Sequence, residues 1–155
     1  MSVTVAKTAG FCFGVARAVD IVEKCCEDRD NKYFTLGPII HNKHVVDDFA
    51  KKGISPIEDI EKLSGGEKLI IRTHGVGKDI YDRLKEKNVE IIDVTCPFVK
   101  KIHNIVERHH KEGYKIVIIG DKNHPEVMGI NGWCEESAAI FATLEEAENV
   151  NFESQ

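Results

Sequence analysis

Several features are scarce in this chain, and each scarcity removes a class of protein. No apolar run approaches the roughly 20 residues that a membrane-spanning helix requires. Lys7, closing Val3-Thr4-Val5-Ala6-Lys7, interrupts the N-terminus too early for a secretory hydrophobic region. Basic residues do not predominate: 21 Lys and Arg face 26 Asp and Glu, for a net charge of −5 with the signs interspersed. That argues against a nucleic-acid partner gripped by a broad basic face. The five cysteines are odd in number and lack the spacing of a small disulfide scaffold. Walker A and GxGxxG loops, low-complexity linkers and strict repeats are all missing. What remains is 155 residues, 42% hydrophobic and 30% charged. Such a chain can form one ordinary domain or two small lobes. A reduced, cytoplasmic compartment is expected, with no membrane partner.

Hydrophobic periodicity alternates between strand and helix along the chain. Strands are expected at residues 3–6, 33–36, 68–72, 89–94, 115–119 and 139–142. Helices are expected at 15–27, 44–52, 78–88, 97 to about 111 and 144–148. Val15, Ala18, Val19, Val22, Cys25 and Cys26 share one stripe of the first helix, and Pro97 suits the first turn of the helix that it opens. Alternation of this kind implies an α/β fold with a largely parallel sheet.

The chemically capable residues fall in one class of position. Cys12 in Gly10-Phe11-Cys12-Phe13-Gly14, His74, Cys96 in Asp93-Val94-Thr95-Cys96-Pro97 and His124 each follow an expected strand and precede an expected helix; His41 follows the second strand after a short loop. In open α/β sheets, ligands bind outside the carboxyl ends of the strands, next to helix N-termini that favour anions and thiolates. The turn Thr73-His74-Gly75-Val76-Gly77-Lys78 has the glycines of an anion cradle, but it also reads as an ordinary glycine-rich turn. His41 also reads as a residue beside a helix cap. In His124-Pro125-Glu126 an imidazole and a carboxylate can share one pocket, for anion binding and proton transfer; the same residues also make a good helix start. Cys25 and Cys26 read as core residues, and Cys134 has no partner in sequence. His103, His109 and His110 lie among Lys100, Lys101, Glu107 and Arg108, where a solvated helix face is expected. Cys12 and Cys96 lack the CxxC companions of a local zinc ribbon.

Taken together, the motifs Gly10-Phe11-Cys12-Phe13-Gly14-Val15-Ala16-Arg17-Ala18, Ile40-His41-Asn42, Thr73-His74-Gly75-Val76, Asp93-Val94-Thr95-Cys96-Pro97 and His124-Pro125-Glu126-Val127-Met128-Gly129 resemble the 4-hydroxy-3-methylbut-2-enyl diphosphate reductase family, in family order and over nearly the whole chain. The resemblance implies an enzyme of three α/β lobes arranged as a trefoil. Each lobe is three-layered with a largely parallel sheet and gives one cysteine to a 4Fe–4S cluster in the central cavity. Cys12 and Cys96 match the first two cluster ligands, His41, His74 and His124 match the diphosphate-binding histidines, and Glu126 matches the proton-delivering acid. The implied reaction is reductive dehydroxylation to isopentenyl and dimethylallyl diphosphate, the last step of the methylerythritol phosphate route, with ferredoxin or flavodoxin as electron donor. On this resemblance residues 1–95 form the first lobe, 96–155 an incomplete second lobe, and the third lobe is absent. The third cysteine and the serine- and asparagine-containing motif belong to that absent region, so this chain is expected to be an N-terminal fragment that neither holds a stable cluster nor turns over alone. Two other readings of the residues stay open. One is an α/β module that binds a phosphorylated ligand without redox chemistry; the other is a zinc hydrolase using Cys12, Cys96 and His124.

Overall fold

Strand pairing begins at Tyr33. The computed structural model describes residues 2–148, so the last seven residues assigned to the second lobe lie outside the described ones. The elements are α1 (Phe13–Glu27), β1 (Tyr33–Leu36), α2 (Lys43–Lys51), β2 (Ser55–Ile57), β3 (Lys68–Ile71), α3 (Lys78–Glu86), β4 (Glu90–Asp93), α4 (Pro97–Lys111), β5 (Val117–Ile119), α5 (Pro125–Asn131), β6 (Ala139–Phe141) and α6 (Leu144–Glu148), with short 3-10 turns at Ile60–Lys62 and Gly132–Cys134. The expected strand at residues 3–6 does not form. Val3 and Val5 are exposed, and the backbone bond recorded there is a turn from Ala9 N–H to the Ala6 carbonyl. Alternating β-branched residues favour a strand, but a strand exists only with a partner. None lies beside residues 3–6 among the described ones. In the other direction, β2 was not expected. Its Pro56 cannot donate to a ladder, and the strand is accordingly at the sheet edge.

Four strands make one parallel sheet in the order β2-β1-β3-β4. Alternate residues of β3 feed opposite faces, as the two-residue period of a strand demands. Ile70 joins Ala18 and Val22 of α1 and Phe49 of α2 on one face. Leu69 and Ile71 join Leu84 of α3, Ile60 and Leu63 on the other. The result is a three-layer α/β/α arrangement with both faces of the sheet covered, and β3 correspondingly reads as a continuous apolar run. A second parallel pair, β5 and β6, packs separately with α4 and α5, through a cluster of Val106, Ile130 and Cys134.

The strand order matters for function. The chain passes from β1 to β2 on one side, then crosses back to place β3 on the other side of β1. The crevice between the carboxyl ends of β1 and β3 is therefore the topological switch point, where loops diverge and leave room for a ligand. Backbone pairing continues past the strand ends: Thr73 N–H donates to the Ile39 carbonyl at 3.3 Å, and Cys96 N–H to the Thr73 carbonyl at 2.9 Å. The loops after β1, β3 and β4 thus leave the sheet side by side.

Candidate functional site

Three histidines meet above that switch point. His41 comes from the loop after β1, anchored by buried Ile39 and Ile40; His74 comes from the loop after β3; His124 caps α5. Their ring centroids are 4.4 Å apart for His41 and His74, and 5.8 Å for each of the other two pairs. The His74 turn is possible because Gly75 adopts φ +71°, a left-handed conformation that a side chain resists. Asn42, next to His41, accepts the Val45 N–H at 3.3 Å and caps α2, so the chain leaves His41 directly into a helix.

The electrostatics of the cluster suit an anion. Burial pushes the His74 imidazole down to about 4, and the neighbouring His41, Arg72 and His124 add to the depression. These neighbours and its burial keep His74 neutral until a negative ligand arrives. His124 has a fixed role for one nitrogen: Nδ1 accepts the Glu126 backbone N–H at 3.2 Å. In the neutral ring the proton is then on Nε2, which remains as a donor. Arg72 is half-buried against Gly37, and its Nε has no hydrogen-bond partner. Sequence reasoning placed Arg72 at the end of a strand and gave it no role; a cation directly after the apolar run Leu69-Ile70-Ile71 was the available signal.

The two cysteines occupy matching positions, each at the N-cap of a helix and each free of any side-chain capping bond. Cys12 opens α1, and Cys96 opens α4 with Pro97 at the first position. Cys12 does not follow a strand, contrary to expectation, because residues 3–6 form none. The helices approach closely: a Cβ built on Gly14 would lie 2.6 Å from Cys96 Sγ. Cys12 is exposed and Cys96 half-exposed, and neither is in a disulfide. Cys25 and Cys26 lie at the far end of α1 with thiols raised by burial, and Cys134 is buried in its own cluster. Among the described residues, no three His, Cys, Asp or Glu side chains are arranged to hold a metal ion. Neither Cys12, Cys96 and His124 nor the three histidines make such a group. Thiols at helix N-termini do fit an iron–sulfur cluster as part of its donor set, since thiolates are its usual ligands and the helix ends favour their charge. Glu126 is half-buried at the start of α5.

His103 corrects a sequence expectation. It is 2% exposed, stacks on Trp133 with ring centroids 5.2 Å apart, and is held down to about 4 by burial. Val99, His103 and Val106 form the buried stripe of α4, so the helical period outweighed the charged neighbours. His109 and His110 are partly exposed beside Glu112 and Glu135.

A parallel α/β sheet with cationic and imidazole side chains gathered at its switch point, and two free thiols at helix N-termini, defines a class: an α/β domain whose switch-point loops suit an anionic ligand. The comparison with known proteins is more specific. The family model described as LytB protein matches residues 3–155, and the chain belongs to that family. It is 56% identical over 155 residues to the 4-hydroxy-3-methylbut-2-enyl diphosphate reductase of Caldanaerobacter subterraneus subsp. tengcongensis, covering 98% of this chain and 54% of that protein. To the protein of the same name in Clostridioides difficile it is 49% identical over 154 residues, covering 99% of this chain and 55% of that protein. Among solved structures it is similar to the E-1-hydroxy-2-methyl-but-2-enyl-4-diphosphate reductase of Plasmodium falciparum, with a TM-score of 0.89 at 35% identity, over 94% of this chain and 46% of that one. It is also similar to a structure named (E)-4-hydroxy-3-methyl-but-2-enyl diphosphate reductase, the terminal enzyme of the non-mevalonate pathway, with a TM-score of 0.78 at 40% identity, over 93% of this chain and 52% of that one. The chain spans about half the length of the relatives it matches.

Proposed function

We propose that this chain carries the diphosphate site and two cluster-ligating cysteines of a 4-hydroxy-3-methylbut-2-enyl diphosphate reductase. The observation that carries the reading is the meeting of His41, His74 and His124, from three separate loops, within 5.8 Å of one another at the switch point of the sheet. The imidazoles donate to the diphosphate oxygens, His124 through Nε2, and Arg72 supplies a positive background. Glu126 holds the proton that converts the departing hydroxyl into water. Cys12 and Cys96 are two of the cluster's ligands, and the third comes from the part of the reductase that these 155 residues do not include. The bound iron–sulfur cluster supplies the electrons of the reductive dehydroxylation, which no side chain can provide. A ferredoxin or flavodoxin delivers them, and the compartment is cytoplasmic. In this reading residues 1–95 belong to one lobe and 96–155 to part of a second, within a three-lobed trefoil. The chain alone does not retain a stable cluster.

The test uses a protein that carries this sequence at the length of its relatives, reconstituted anaerobically with iron and sulfide. Cluster absorption and reductase turnover are expected in the parent and lost in C12S and in C96S. A parent that takes up no iron and sulfide, or a variant that keeps full cluster absorption, overturns the reading. A phospholigand-binding module without redox chemistry would instead keep its ligand and show no iron in any of the three.

A further inference from the structure

The His74 turn is held backbone to backbone by the segment that His124 begins. A Cβ built on Gly132 would stand 2.5 Å from Gly77 Cα, closer than real Cβ atoms come to backbone. One built on Gly129 would meet the Gly75 carbonyl group and the His74 oxygen at 3.5 Å, an ordinary contact. Trp133, next in sequence, donates its Nε1–H to the Val76 carbonyl at 2.9 Å. Trp133 in turn stacks on His103, whose ring edge supports Gly75 from below: an added Cβ there would come within 2.5 Å of His103 Cε1. Gly75, Val76 and Gly77 are thus each fixed by a different contact. On the supporting side, Gly132, Trp133 and His103 lie outside the motifs that mark the site in sequence.

The geometry has a direct consequence for the histidines. His124 caps α5, and Gly132 follows that helix, so the helix cannot move away from Gly77 without moving His124 from His74. A methyl group at residue 132 needs roughly an ångström of extra separation to reach ordinary contact, and a close-packed interior gives way only by shifting whole elements. We infer that Gly132 and Trp133 are positioning residues, a clamp on the Gly75–Gly77 turn that sets the separation of His74 and His124 and with it the grip on a diphosphate. The role assigned to the clamp rests on the reading of the histidines as a diphosphate site.

Two measurements on the 155-residue chain test it: the nuclear Overhauser effect between the His74 and His124 ring protons, and calorimetric titration with inorganic pyrophosphate. In G132A the ring-to-ring effect is expected to vanish and pyrophosphate affinity to fall about tenfold or more. In G129A, on the same face of the same segment, the ring contact is expected to persist and affinity to stay within about twofold. Equal behaviour of G132A and the parent overturns the clamp, and so does an equal loss in G129A. If G132A does not fold, W133F decides. It keeps a ring against His103 while removing the donor to Val76 and part of the indole's bulk, and is expected to lose some stability, to bind pyrophosphate about fivefold more weakly and to weaken the ring-to-ring effect. Affinity and ring contact both unchanged in W133F overturn the proposal. If the parent shows the ring contact but binds no pyrophosphate, the ring contact in the variants decides the clamp alone: its loss in G132A supports the clamp and its persistence overturns it.

Discussion

Gly14 stands against Cys96 with no room for a side chain between them: a Cβ at residue 14 would lie 2.6 Å from Cys96 Sγ and 3.2 Å from its Cβ. The second residue of α1 therefore touches the N-cap of α4, and the helix that Cys12 opens is seated on the other cysteine. Alanine at 14 gains about 1 kcal/mol of helix propensity over glycine. Against that gain stands an overpacking cost of about 1–3 kcal/mol, which rotation of the single-torsion Cys96 side chain relieves in part. The expected outcome is a small net change in stability and a displaced sulfur. A double-mutant cycle in urea separates the two effects: G14A costs stability in the parent but is neutral or stabilising in a C96A background, with a coupling of about 1 kcal/mol. Zero coupling is the result that this packing does not allow.

His74 makes ligand binding depend on protons. With its imidazole held at about 4 by burial and by His41, Arg72 and His124, it is neutral at pH 7 in the free chain. A bound diphosphate favours the imidazolium and raises that value, so binding takes up a proton wherever the pH lies between the free and the bound pKa. Calorimetry in buffers of different ionisation enthalpy is expected to show proton uptake on pyrophosphate binding at pH 6–7. H74N retains a donor but cannot protonate, and is expected to take up fewer protons. Identical uptake in H74N and the parent excludes His74 as the linked group.

Much of this was legible beforehand, and the misses have physical causes. The Tyr33–Leu36 strand and the Pro97–Lys111 helix match the periodicity residue for residue, because each is a strong pattern with clear stops. The convergence of His41, His74 and His124 could be inferred only from their shared place after strands; the distances depend on the order β2-β1-β3-β4, which no local pattern specifies. Residues 3–6 failed as a strand for the same reason in reverse, since pairing is a property of two segments. His103 was misread because it falls on the Val99–Val106 stripe of the helix, a period that outweighs the charge of its sequence neighbours. Gly132 and Trp133 carried no signal at all: their role is a close approach to a turn more than 50 residues earlier, as the Trp133 to Val76 bond shows.

Acid stability should report His103. Its value of about 4 in the folded chain is below the unfolded 6.5, so the unfolded chain binds a proton first as the pH falls. The sign follows: the group has no effect above about pH 6.5, and stability is lost progressively from there down to about 4, by up to about 3 kcal/mol. Trp133 is the single tryptophan of the chain and stacks on this ring. Its emission is expected to be quenched by the imidazolium with a midpoint near that same value. H103Q removes one of two such groups: it should abolish the quenching and reduce the stability loss, leaving the share that His74, also held at about 4, contributes, although its stability at pH 7 falls with the lost stack. An acid slope unchanged in H103Q would assign the sensitivity to other groups.

Glu126 offers a separation of binding from chemistry. Its backbone N–H holds His124 Nδ1 at 3.2 Å, and a glutamine keeps that bond, so the Nε2 donor of His124 is undisturbed. Only the dissociable proton is lost. In the 155-residue chain E126Q is therefore expected to bind pyrophosphate within about twofold of the parent. In a reductase of the relatives' length the same change is expected to lower turnover by about a hundredfold or more, the usual scale of a positioned general acid. H124N should show the converse emphasis, weakening pyrophosphate binding in both proteins. Equal turnover of E126Q and its parent would remove Glu126 from the proton path and leave the imidazoles as the remaining acids at the site.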